Sequence, residues 1–331
     1  MSADHPEEGL LDGAVAATHP ITQVDDSTTV VERTQSAVID LRELLESAEH
    51  LGGLPTTVTR LASVVSDPEH EIRDIVEVVS FDQSLTASVL RRANSAALGS
   101  RVQVKTVRDA AMWLGSGSIL SMALATSVSP RLSAPIPAYG LAQGQLWKQS
   151  VAASLAAEAI RKFVKVDVPA EAPTAALLHD FGKVVLAQHY GPRVLNLLGA
   201  AAAADHMGLL EAEKRVFGVN HADIGGLVAQ QWKLPHSIVE AIIHHHHTGA
   251  HTSVVSAVVS LAHAMVPDVL QQAELMDATE LPIPCDPLLD DPARTHVEVL
   301  TGLGLMPEEY PALLDAATQR YVELAERYRA G

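Results

Sequence analysis

The chain has 331 residues, 47% hydrophobic but only 4% aromatic, and a formal charge of −17. That length buries a full core without staples, and the sole cysteine, Cys285, excludes an intrachain disulfide or a cysteine-built zinc site. The acidic balance argues against nucleic acid or anionic lipid as a partner, and the Ala-, Leu- and Val-rich, aromatic-poor make-up predicts packed helices, an all-α fold.

Residues 1–36 mix Pro, Gly, Thr, Asp and Glu with no sustained apolar period, so they predict a disordered acidic leader. A short helix is expected over 37–49, with Val38, Leu41, Leu44 and Leu45 on one side. Pro55 opens the next, in which Val58, Leu61, Ala62 and Val65 repeat at helical spacing until Asp67-Pro68. Helices follow over about 70–80 and from Asp82, then from Thr106 to Leu114 and, past Gly115, on to Val128. A connector is expected from Ser129-Pro130 to Pro137, the seam between two helical halves.

The second half predicts helices over Leu141 to Val164, Pro173 to Tyr190, Leu209 to Val216, His221 to Lys233, Pro235 to His247 and Thr252 to Val266. A loop-rich stretch with Pro282, Pro284, Pro287 and Pro292 comes next, then helices at about 295–303 and 307–329. No fixed repeat or alternating strand pattern is present. No apolar run reaches bilayer length and the acidic start lacks a secretory signal, so a soluble cytoplasmic protein is expected.

The residues that could carry chemistry cluster in the second half: His179-Asp180 followed by Phe181-Gly182-Lys183, His221 in NHADIG, the run His244 to His247, and His263 in SLAHAM. Imidazoles and a carboxylate are the usual ligands of a divalent metal, and helices of a bundle can converge them. Spacing alone does not establish convergence. His221 beside Asn220 also reads as part of a helix cap, and the histidine run as a solvated helix end. Successive helical residues turn by about 100°, so at most two of the four can face one site.

The ordered set LWxxS, LLHDFGK, NHADIG, WxLP and a later His-His pair resembles the HD superfamily of metal-dependent phosphohydrolases. LPTTVTRLASVVSDPE, FDQSLTASVLRRANSA and VRDAAMWLGSGSILSMAL are similar, in order, to the amino-terminal region of its HDOD branch. The resemblance covers about Leu54 to Val266. It implies a bacterial HDOD domain of two helical lobes over 37–270, the first to about 130 and the second from about 138, with 271–331 as an extension.

In catalytic HD proteins a histidine after LW, the His-Asp pair, later histidines and a final aspartate hold one or two metals that activate water. The resemblance implies His179, Asp180, His221 and one of His244 or His245 as ligands of iron, manganese or zinc, and Lys183 as a phosphate contact. Two positions depart from the pattern. Gln149 in LWKQS replaces the first histidine with a weak amide oxygen, and His263 stands where the final aspartate is expected. The GYP signature is absent.

HDOD proteins are generally regarded as non-catalytic signalling modules, so the first reading is a regulatory domain that docks a signalling partner without efficient catalysis. The acidic leader and the final helix, with Leu313, Leu314, Ala317, Tyr321, Leu324 and Ala325, are candidate contact segments, although that helix reads more readily as packing on its own domain. Two alternatives stay open: a metal-dependent phosphohydrolase acting on nucleotides or cyclic dinucleotides, and a sensor of a phosphorylated ligand using Lys183, Arg91 and Arg92. A retained His-Asp pair could also simply tie two helices together.

Overall fold

The computed structural model describes residues 44, 53–96, 104–190, 198, 208–247, 253–276 and 299–329. The leader at 1–36, nearly all of the helix expected at 37–49 and the proline-rich stretch holding Cys285 lie outside the described residues. Among the described residues the fold is all-α, with a single isolated bridge between Ile136 and Leu141 and no strand.

Helix α1 (Thr56–Val65) buries the four residues its period selects, Val58, Leu61, Ala62 and Val65. Helix α2 (Ile72–Ser80) is capped where the Glu71 N–H donates to Asp74, and buries Ile75, Val78 and Val79. Helix α3 (Gln83–Ala96) is tied to the chain beyond it by Asn94, whose amide donates to the carbonyls of Leu90 and Val104. Thr106 caps α4 (Val107–Leu114), and Gly115, at a φ of 78° that only glycine adopts without strain, turns the chain by 102° into α5 (Ser116–Leu132).

The remaining helices are α6 (Gln145–Phe163), α7 (Ala172–Leu178), α8 (Phe181–His189), α9 (Leu209–Phe217), α10 (His221–Gln231), α11 (His236–His244), α12 (Val254–Met276) and α13 (Tyr310–Arg329). Helix α6 is central and packs on α7, α12 and α13, while α10 packs on α8 and α11. Helix α5 packs on α1 and on α7, and Ser121 hydrogen-bonds Thr174 across the second contact, so the first five helices share one buried core with the rest. A 3-10 turn at Pro137–Tyr139, closed by the Ile136–Leu141 bridge, links α5 to α6.

Besides shifts of a few residues at other helix ends, three boundaries differ from the expected ones. Helix α5 runs through Pro130 to Leu132, because Leu132 is fully buried and the Arg131 guanidinium donates to the Ser127 carbonyl at the helix end. The helix expected from Pro173 to Tyr190 breaks at His179-Asp180. Helix α12 passes Pro267, where a stop was expected, and reaches Met276, because Val269, Leu270 and Ala273 are buried beyond the proline. Its span Val254–Leu275 is therefore long and apolar enough to cross a membrane, contrary to the expectation of no such run. It is 78% buried inside the protein, as a core helix is.

After a 3-10 turn at Pro307–Glu309, α13 lies against α6 and α12 with Leu313 and Ala317 buried. The Tyr310 hydroxyl donates to Asp268, and the Gln272 amide donates to Asp315. The final helix thus packs on its own domain.

Candidate metal centre

The break between α7 and α8 is where the chemistry lies. The Nδ1–H of His179 donates to the Ala176 carbonyl at 2.6 Å, within the last turn of α7. The chain then turns at Asp180, and Gly182 brings α8 against α10 so closely that a Cβ there would lie 1.9 Å from the His221 carbonyl oxygen. His179 and Asp180 come from this break, His221 from the start of α10 beside its cap Asn220, His245 and His246 from just past α11, and His263 from the middle of α12.

The donor atoms of these six side chains form two overlapping sets. Asp180, His221, His245 and His246 make one and His179, His245 and His263 the other, with the donor atoms of each within 4.8 Å of one another. All are buried except His246, which is half-buried. Asp180 Oδ2 lies 3.3 Å from His179 Nε2 and accepts from Lys183 Nζ at 2.9 Å, while Oδ1 lies 3.1 Å from His221 Nε2 and 3.7 Å from His245 Nε2.

The tautomers follow from what a carbonyl or carboxylate oxygen can do, which is only accept. His179 and His245 carry their protons on Nδ1, since these atoms face the Ala176 and Ile242 carbonyls, both at 2.6 Å. Nδ1 of His221 likewise donates to Glu213 at 2.7 Å. In the neutral rings the Nε2 lone pairs are therefore left toward the cluster. His263 Nδ1, 3.0 Å from His179 Nε2, must then be the donor of that pair, which leaves its own Nε2 bare.

His245 Nε2 and His263 Nε2 are buried with no hydrogen-bond partner among the described residues, and Asp180 Oδ1 has none but the His221 ring, whose Nε2 lies 3.1 Å away. Each buried polar atom left so costs about 1–3 kcal/mol. Two such acceptors and a carboxylate, spread over two donor sets that share His245, with the His179, His221 and His245 rings held from behind by carbonyls and a carboxylate, offer a cation the lone pairs it needs. The residues present fit a divalent metal ion.

The electrostatics agree. Burial alone pushes the Asp180 carboxyl up, but the neighbouring His179, Lys183 and His221 outweigh it and hold the group well below the usual carboxylate range. Burial lowers His245 to about 4 against the pull of Asp180, and burial with the neighbouring imidazoles lowers His246 and His263 well below the usual histidine value. His221 goes the other way: burial pushes it down, but the Glu213 carboxylate beside it and Asp180 raise it to about 9.

The HDOD domain family model matches residues 51–248. The chain belongs to the HDOD family. An uncharacterised protein of Treponema pallidum (strain Nichols) is 25% identical to this HDOD chain over 194 residues, 58% of the chain, and the match spans only 37% of that protein's length. Among solved structures, an HDOD domain protein of unknown function from Geobacter sulfurreducens aligns with a TM-score of 0.59 at 21% identity, over 90% of this chain and 97% of that one. A candidate phosphohydrolase from Shewanella amazonensis aligns at 0.56 and 24% identity, over 85% and 98%. A candidate signal transduction protein from Marinobacter aquaeolei aligns at 0.59 and 22% identity, over 91% and 62%. At these identities the likeness is one of fold.

Of the residues singled out in the sequence, His179, Asp180, His221, His245 and His263 come together, and His244 does not. Its ring packs on His247 at a centroid distance of 4.7 Å, outside both donor sets. The second inward member of the histidine run is His246, which the sequence did not distinguish from its neighbours; the chain leaves helix α11 at His245, so helical spacing cannot say which rings face in. Gln149 is buried on α6, the helix that packs on both α7 and α12. Lys183 is buried against Asp180, with its ammonium 5.9 Å from the centre of the Tyr139 ring. Arg91 is exposed on α3, where it donates to Ser88. Glu213 and Tyr139 went unnoticed in the sequence, where neither lies in a motif.

Proposed function

We propose that this HDOD protein is a signalling module that holds a divalent transition-metal ion in the buried His-Asp cluster and acts by docking a partner protein, without efficient turnover. The observation that carries the metal reading is the pair of bare, buried acceptors His245 Nε2 and His263 Nε2 in the cluster that also holds the Asp180 carboxylate. Donor sets of three imidazoles with a carboxylate and of three imidazoles favour zinc or iron(II) over magnesium or manganese, which prefer oxygen donors. When bound, such an ion supplies Lewis acidity and lowers the pKa of coordinated water.

Burial supports docking over hydrolysis. His179, Asp180, Lys183, His221 and His245 are at most 2% exposed, so substrate would have to part the helices to reach them. Lys183 is engaged with Asp180 and not offered to a phosphate. His263 brings no negative charge where the HD pattern has a carboxylate to orient water.

The test is the metal content of tag-free protein purified without a metal column. Near-stoichiometric zinc or iron is expected, at least tenfold weaker binding in His246→Ala, and affinity within about twofold of wild type in His244→Ala. Protein that takes up neither metal refutes the metal reading. Turnover of a nucleotide or cyclic dinucleotide that is lost in Asp180→Asn would establish the phosphohydrolase instead, and thermal stabilisation by a nucleotide without turnover would establish the ligand sensor.

A further inference from the structure

We infer that Glu213 and Tyr139 are positioning residues for the metal ligand His221, and that through them the metal site is tied to the segment 136–141 joining α5 to α6. The inference rests on the metal reading above. Glu213 lies on α9, is fully buried and belongs to neither donor set. A buried carboxylate persists only if its lone pairs are filled, and here three donors fill them. The Tyr139 hydroxyl donates to Oε1 at 2.7 Å, and Oε2 accepts from the His221 backbone N–H at 2.8 Å and from its Nδ1–H at 2.7 Å.

This bracing fixes both the place and the tautomer of His221. With Nδ1 held from behind, Nε2 faces the cluster, 3.1 Å from Asp180 Oδ1 and 2.9 Å from His246 Nε2. His179 and His245 are braced in the same manner, but by the neutral carbonyls of Ala176 and Ile242. Among these three rings only His221 leans on a charged acceptor, and a carboxylate behind a ligating imidazole makes it the better donor.

Tyr139 makes the arrangement more than local. It is buried, yet it belongs to the 3-10 turn Pro137–Tyr139, held by the Ile136–Leu141 bridge and by Gly140 in the left-handed region. From there it touches the site twice, through Glu213 and under the Lys183 ammonium. Shifting this segment would strip a donor from Glu213 and loosen His221. By reciprocity, a ligand that fixes His221 must steady the segment.

The experiment measures zinc affinity of the full chain by competition with a chromophoric chelator, and amide hydrogen exchange over 136–141 with and without zinc, for wild type, Glu213→Gln and Tyr139→Phe. Glu213→Gln is expected to weaken zinc by about 10- to 100-fold and to shift the visible absorption of the cobalt-substituted protein, and Tyr139→Phe to weaken zinc by roughly 3- to 10-fold. Zinc should slow exchange over 136–141 in wild type and do so less in Tyr139→Phe. Thermal unfolding without metal shows whether each variant is folded; if Glu213→Gln is not, Tyr139→Phe, which loses one hydroxyl, decides. Variants that bind zinc as tightly as wild type, or exchange over 136–141 that ignores zinc, overturn the inference while leaving the metal reading intact. Wild type that binds no zinc, cobalt or iron overturns both.

Discussion

Position 182 has room for glycine alone, because the Cβ of any other residue would meet the His221 carbonyl oxygen at 1.9 Å and the Gly225 nitrogen at 2.8 Å. Both obstacles are backbone, so relief requires α8 and α10 to separate. Gly182→Ala is expected to destabilise the protein by about 3 kcal/mol, the upper end of overpacking costs, as read from urea unfolding. It should also weaken metal binding, since the same movement carries Asp180 away from His221. A variant of wild-type stability would show that the two helices are not locked at this contact. The His-Asp pair and its glycine were legible in the sequence as a motif, but the reason for the order was not. His179-Asp180-Phe181-Gly182 reads as uninterrupted helix by apolar period, and the contact that accompanies the break, Gly182 against the His221 carbonyl, joins residues some 40 positions apart along the chain. Glu213 was illegible for a related cause: a lone glutamate in a helix with a charged face reads as solvated, and only the buried approach of His221 and Tyr139 shows otherwise.

At the scale of helices, period and start signals located most elements, because α1, α2 and α4 are amphipathic and Pro55 and Thr106 mark where α1 and α4 begin. Two of the expectations that failed, at Pro130 and Pro267, gave proline too much weight. A proline in a helix interior costs about 3 kcal/mol, yet the buried side chains of Val269, Leu270 and Ala273 beyond Pro267 recover that cost through packing invisible in a local window. The same packing makes α13 part of the domain. Leu313, fully buried, is expected to cost about 2–5 kcal/mol on replacement by alanine. Leu275→Ala, 82% exposed on α12, should stay within about 0.5 kcal/mol. Urea midpoints of the two variants check this. Equal, small effects would return the final helix to the role of a free contact segment.

For the whole molecule, the histidine cluster makes stability depend on pH in a way that reports whether metal is present. In the metal-free protein, His245, lowered to about 4, and His246 and His263, also lowered, are neutral when folded but take protons near pH 6.5 when unfolded. Their contribution is fully present above pH 6.5 and is lost as pH falls below it, by roughly 1 kcal/mol per pH unit for each proton. His221, raised to about 9, acts with the opposite sign: its contribution is fully present below pH 6.5 and is lost as pH rises through about 9. The two slopes meet near pH 6.5, where the metal-free form should be most stable. Metal changes the balance, because His221 must release the Nε2 proton to bind, so alkali that weakens the metal-free protein strengthens the complex. Saturating zinc should therefore move the pH of maximum stability upward, and a zinc-induced rise in Tm should grow from pH 6.5 to 9 and vanish toward pH 5. Thermal unfolding across that range, with zinc and with a chelator, measures both curves. Two curves that coincide would mean that the cluster binds no ion and that its imidazoles serve only to join helices.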